Sequence, residues 1–143
     1  MKAARWYNMR DIRVEEILEP EAGAGQVKIK IAAAGICGSD LHEYVAGPKI
    51  IPVAAPHPLS QDVAPIVMGH EFSGEVVAIG EGVEQVRVGD RVIVEPLLTC
   101  GKCEPCRHGK YNLRDNLGFH GLSGGGYLRR GTHGPPDAGR PFR

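Results

Sequence analysis

What this sequence lacks narrows its function first. It carries no net charge: seventeen lysines and arginines balance seventeen aspartates and glutamates over 143 residues. Such a balance gives no electrostatic footprint for nucleic acid or for an anionic membrane surface. No run approaches the roughly 20 apolar residues that a membrane-spanning helix needs. The opening Met1-Lys2-Ala3-Ala4-Arg5-Trp6-Tyr7 has no apolar signal core, so export is not expected. Only four cysteines are present, at metal-type spacing rather than as a disulfide framework, which fits a reducing, cytoplasmic compartment. A dinucleotide fingerprint, G-x-G-x-x-G between a strand and a helix, is also missing; Gly121-Leu-Ser-Gly-Gly-Gly126 has the wrong spacing and no strand before it. The length is one domain's worth, enough for a real core.

Along the chain the pattern is mainly β. Asp11 to Leu18 is a strand candidate, followed by a turn over Pro20 to Gly25. Val27, Ile29 and Ile31 alternate with Gln26, Lys28 and Lys30, which predicts a half-buried strand. Gly35 to Tyr44 leaves that strand and predicts one helical turn. Residues 46–66 hold five prolines and no apolar period, so a long ordered loop is expected, either walling a cleft or running over the surface. Strands resume at Gly74 to Ile79, and Val86 to Val94 then gives a tight Gly89-Asp90 turn and another strand. Short strands punctuated by glycine suggest a small barrel. From Tyr127 to Arg143 apolar periodicity vanishes, which predicts a disordered tail. A change of reading frame near residues 124–129 and a natural basic tail both account for that switch.

Two segments carry chemistry: Cys37-Gly-Ser39-Asp40-Leu-His42 and Gly69-His70-Glu71-Phe-Ser-Gly74. They offer a thiolate, an imidazole and a carboxylate to one metal. Zinc accepts all three donor types, and a catalytic zinc keeps a position open for water or substrate. Ser39 and His42 are suited to carry a proton away from a molecule bound there. Singly, each residue has a plainer reading: Cys37 a buried thiol, His70 a core histidine, Ser39 a helix cap, His42 a surface histidine. Their joint spacing outweighs those readings for Cys37 and His70. Asp40 is suited equally to a turn or to orienting an imidazole. Glu95, before Pro96, reads as structural, and His57, His108, His120 and His133 have no informative partner spacing. A third cluster, Cys100-x2-Cys103-x2-Cys106, can close three thiolates around a second metal.

These motifs carry a resemblance. Gly69-His70-Glu71-x2-Gly74-x5-Gly80-x2-Val83 resembles the signature of zinc-containing medium-chain alcohol dehydrogenases. Gly35-Ile-Cys37-Gly-Ser39-Asp40-Leu-His42 resembles that family's zinc and proton-relay segment, and Cys100 to Cys106 its structural-zinc lobe. His42-Glu-Tyr, Gly47-Pro48, Pro56-His-Pro-Leu59, Val94-Glu-Pro96 and Leu117-Gly-Phe119 are similar to the butanediol and sorbitol dehydrogenase branch. The resemblance covers about residues 1 to 128.

It implies a GroES-like barrel over residues 1–126, mainly β with short helices and a Cys-rich lobe, and a tail over 127–143. It implies that Cys37 and His70 bind a catalytic zinc, with Glu71 as a third ligand or an immediate neighbour of the ligands. Ser39 would take the proton of an alcohol and pass it toward His42. The substrate class implied is a secondary alcohol or vicinal diol, with NAD or NADP as hydride acceptor. No residue here reads an oligomeric state. The family pattern places a fourth cysteine eight residues after Cys106, where this sequence has Arg114, and a guanidinium cannot ligate zinc. The structural zinc site is therefore expected to be incomplete, with water, His108 or Asp115 as the remaining candidates for its last position. The isolated chain, lacking the fingerprint, is expected to be inactive. A stand-alone zinc-binding module without redox chemistry is the alternative.

Overall fold

Strands β1 (Lys2–Asn8) and β2 (Asp11–Glu16) form an antiparallel hairpin, with Lys2 opposite Glu16 and Trp6 opposite Ile12. Arg10 makes the turn at a φ of 60°. The expected strand from Asp11 thus exists and ends at Glu16. Its partner β1 went unread in the sequence because an alanine-rich, basic run has weak strand preference until pairing supplies it. The computed structural model describes residues 1–113 and 115–125. The expectations for the 127–143 tail, and any placement of Arg114, lie outside the described residues.

Two three-stranded sheets make the body. The short β4 (Ile66–Val67) joins the other edge of β1, so the first sheet runs β2-β1-β4. The second runs β3-β5-β6, with β3 at Val27–Ala34, β5 at Phe72–Ile79 and β6 at Arg91–Ile93. The β3–β5 ladder pairs Val27 with Ile79 and Ala34 with Phe72, and two irregularities of register bend it. Gly89, at a φ of 94°, forms the turn that leads into β6. Helix α1 (Gly38–Ala46) follows β3, and helix α2 (Glu104–Arg107) and a 3-10 turn (Tyr111–Leu113) lie in the Cys-rich lobe. The chain is mainly β, as read. Helix α1 is longer than the single turn expected, and residues 47–65 carry no regular element.

Each sheet has its own apolar centre. Trp6, Ile51, Ile66 and Leu122 form one, with Met68 and Phe119 packed against them. Val76, Val86 and Val92 form the other, joined by Val27 and Ile29. Ile31 continues the apolar alternation of β3 but is 51% exposed. It faces an open cleft of about 840 Å³ bordered by Ala4, Ile29, Met68, Phe72 and His120. Neither the 46–66 loop nor Cys37, His70 or Glu71 lines this cleft, so the loop does not wall it.

His120 was given no role in the sequence, yet it is buried. Burial pushes its imidazole down to about 4 from the ordinary 6.5. Between those values the unfolded chain binds the proton and the folded chain does not. The neutral ring's contribution is therefore whole above pH 6.5 and is lost as pH falls toward 4. The full span corresponds to about 3 kcal/mol. His120→Leu is expected to flatten this acid-side slope, read as urea midpoints between pH 7 and 4 for parent and variant. Parallel profiles would show that the ring does not enter the fold neutral.

Candidate metal centre

Helix α1 begins where the first donor sits. Cys37 is its N-cap residue, in extended geometry with φ −81° and ψ 158°. Asp40 occupies the third helical position and completes a reciprocal capping arrangement, its Oδ2 accepting the Cys37 amide at 2.9 Å. Its negative charge in the first turn also suits the helix dipole. The cap is thus Cys37 with Asp40; Ser39, read singly as a cap, lies inside the helix. The far end closes through the Gly47 amide on the Glu43 carbonyl at 3.1 Å.

The second donor pair enters from β5. His70 and Glu71 immediately precede that strand, and the Gly35 amide donates to the Glu71 carbonyl at 2.7 Å. A Cβ on Gly35 would lie 2.8 Å from Glu71 Oε2, so the glycine keeps room for that carboxylate. A second close approach fixes the preceding residue. Gly121, at a φ of 73°, lies against Gly69, and a Cβ there would come within 1.9 Å of the Gly69 carbonyl. Only glycine fits that position.

These local constraints bring one donor atom each from Cys37, His70 and Glu71 to within 4.8 Å of one another. His70 is buried, Cys37 half-buried and Glu71 exposed. Ser39 Oγ lies 3.1 Å from His70 Nε2. The other ring nitrogen, Nδ1, faces Asp40 Oδ1 at 3.5 Å. Both of those atoms are buried and make no hydrogen bond. A carboxylate behind one ring nitrogen is what fixes a metal-binding imidazole, because it selects the tautomer whose other nitrogen presents a lone pair. Thiolate, imidazole and carboxylate together suit zinc. His42 is exposed on α1, three residues beyond Ser39 and so on the same helical face.

The sequence left Asp40 undecided and overlooked Glu43. Glu43 is 1% exposed and accepts the Lys49 and Ile50 amides, while its carbonyl accepts Trp6 Nε1 at 3.1 Å. It ties α1 to the first sheet's core. No local signal marks it, because a glutamate in a helix ordinarily reads as solvated.

A second group lies in the lobe. Cys100, Cys103 and Cys106 bring their sulfurs within 4.8 Å of one another. Cys103 caps α2, and Cys100 Sγ accepts the amides of Lys102 and Cys103, each at 3.4 Å. Those donors, the Cys103 amide first, bring the Cys100 thiol down to about 7. Burial pushes the Cys106 thiol up. Among the described residues no histidine or carboxylate joins the three sulfurs, Asp115 included. His108 Nδ1 is instead 2.9 Å from the Glu104 carbonyl.

Comparison with known proteins places this geometry. The family model of the alcohol dehydrogenase GroES-like domain matches residues 23–133. The (R,R)-butanediol dehydrogenase of Bacillus subtilis is 59% identical over 126 residues, which cover 88% of this chain and 35% of that protein. The sorbitol dehydrogenase of the same organism is 44% identical over 83% of this chain and 31% of its own length. A crystal structure of 2R,3R-butanediol dehydrogenase from Bacillus subtilis superposes with a TM-score of 0.78 at 56% identity, over 87% of this chain and 35% of that one. The chain thus spans about a third of the length of the relatives it matches.

Asp40 joins both donor segments, which makes its removal informative. Asp40→Ala is expected to cost about 1 kcal/mol of stability through the lost cap. Zinc affinity is expected to fall roughly 10- to 100-fold as His70 loses its orienting carboxylate. Competition with a zinc chelator measures the second effect; an unchanged affinity would show that Asp40 serves the helix alone.

Proposed function

Since the chain belongs to the alcohol dehydrogenase GroES-like domain family, we propose that it is the catalytic-domain part of a zinc-dependent oxidoreductase. The reaction is reversible hydride transfer between a secondary alcohol or vicinal diol and NAD(P). The observation that carries this reading is the convergence of Cys37, His70 and Glu71 beside the Ser39 hydroxyl. Similarity to butanediol and sorbitol dehydrogenases supports a diol or polyol as the substrate class.

Cys37 and His70 are the residues that would hold the zinc, and Glu71 either completes the set or stands beside it. Bound there, zinc supplies a Lewis acid that lowers the pKa of an oxygen at its open position. The rest of the work falls to side chains of this chain. Asp40, 3.5 Å from His70 Nδ1, would orient that ring. Ser39 would take the hydroxyl proton of an alcohol held there, and NAD(P), when bound, would supply the hydride acceptor. His42, exposed on the same face of α1, passes that proton to solvent.

Metal analysis tests the site and turnover tests the chemistry. Cys37→Ser and His70→Ala are each expected to lose one equivalent of bound zinc that Cys103→Ser retains. Retention of that zinc by both variants would remove the basis of the proposal. The isolated chain is expected to reduce no NAD with 2,3-butanediol or sorbitol, because its sequence carries no dinucleotide fingerprint. Fused to the remaining two-thirds of the Bacillus subtilis butanediol dehydrogenase, it should oxidise 2,3-butanediol. Ser39→Ala should then lower kcat by about 10²- to 10⁴-fold, and an unchanged kcat would exclude the relay.

A further inference from the structure

Gly35 stands across the ladder from Glu71, and that pairing decides where the carboxylate goes. Strand β3 ends opposite the start of β5, with Ala34 facing Phe72. The Gly35 amide donates to the Glu71 carbonyl at 2.7 Å and carries the ladder one step further. Residues opposite one another in an antiparallel pair project from the same face, so the Glu71 stem rises past the Gly35 Cα. A Cβ on Gly35 would lie 3.4 Å from Glu71 Cβ and 2.8 Å from Oε2. Among the described residues no hydrogen bond or ion pair engages that carboxylate. Its place beside Cys37 and His70 is thus set by the ladder beneath it and by the space that Gly35 leaves.

The glycine is not there for its backbone. Gly35 lies outside the positive-φ region that Gly25, Gly69 and Gly121 occupy, so an alanine adopts its conformation without strain. What an alanine adds is a methyl group where the carboxylate stands. The clash is relieved by turning the far end of a flexible side chain rather than by moving backbone. We infer that Gly35 is a positioning residue of the metal centre: its missing side chain lets the Glu71 carboxylate stand within donor range of Cys37 and His70. The inference rests on the reading of those three residues as one centre. Gly38 is the internal contrast. It follows Cys37, also outside the positive-φ region, and a Cβ there would meet nothing within 4 Å beyond its chain neighbours and its own helix. Two glycines flank Cys37, and only the first is tied to a donor.

The test is the zinc affinity of the full chain by chelator competition, read on the equivalent that Cys37→Ser abolishes. Gly35→Ala is expected to weaken it at least about tenfold, since even a partner outside the ligand set contributes that much. Gly38→Ala should leave it unchanged. In a Glu71→Ala background, Gly35→Ala should have no further effect, because the methyl then displaces nothing; residues that act through one another fail to add in this way. Cobalt(II) in place of zinc gives a spectroscopic readout. Taken as the difference from Cys37→Ser, the visible bands should shift alike in Gly35→Ala and Glu71→Ala. Without metal, the urea midpoint of Gly35→Ala should be no lower than the parent's, because alanine at a compatible site restricts the unfolded chain. A bound zinc indifferent to Gly35→Ala overturns the inference alone, as does an equal loss in Gly38→Ala or a further loss in the Glu71→Ala background. A lower metal-free midpoint overturns it too, since the glycine then serves the fold. If Cys37→Ser removes no zinc from the chain, the centre itself falls and this inference with it.

Discussion

One buried carboxylate lies between the two segments that carry the metal-type side chains. Asp40 uses one oxygen to cap the helix that begins at Cys37 and turns the other toward His70. The two segments lie thirty residues apart in the chain, and neither alone fixes a thiolate against an imidazole. A charge that is 8% exposed is costly unless its oxygens are engaged. Asp40 Oδ2 is satisfied by the helix start, whereas Oδ1 makes no hydrogen bond and lies 3.5 Å from His70 Nδ1. That incomplete pairing is what a protonated Nδ1 would complete. The same proton would leave Nε2 free to bind metal.

Backbone contacts place His70 where Asp40 can reach it. Gly121 lies against Gly69, so the segment carrying Phe119 and Leu122 is seated directly on the residue before His70. Leu122 is in turn packed with Trp6, Ile51 and Ile66. Glu43 anchors the other partner by holding α1 to the Trp6 indole and to the amides of Lys49 and Ile50. Both donors are therefore referred to one apolar centre, which makes the first sheet the frame of the site. The second sheet contributes through β5, whose first residue follows Glu71.

The grouping of Cys37, His70 and Glu71 was legible in the sequence because its chemistry is local: residue type and spacing survive without a fold. The strands of the second sheet were legible for the same reason, since alternation is a property of a short window. What escaped depends on tertiary contact. The strand β1 is specified by its partners rather than by an alanine-rich sequence. Glu43 and His120 look like solvated polar residues until packing buries them. Taken singly, Ser39 has the plainer reading of a cap, because Ser-Asp is a strong local signal, yet the chain caps its helix at Cys37, two residues earlier. The shift matters, because it turns the serine hydroxyl from backbone duty toward the His70 ring.

The lobe and the candidate catalytic centre share no donor, and the fold shows why one can change without the other. The segment from Leu98 to Gly118 leaves and rejoins the body at one place. Leu97 bridges Phe119, the Leu98 amide donates to the Gly118 carbonyl at 2.9 Å, and His120 donates to the Pro96 carbonyl at 2.8 Å. With both ends pinned, the loop is closed by backbone hydrogen bonds before any metal contributes. The entropy of closure is thus met at the base. Phe119 and Gly121, just outside the loop, keep the contacts that seat His70. The two cysteine-bearing groups on this small domain are thus held by separate sets of contacts.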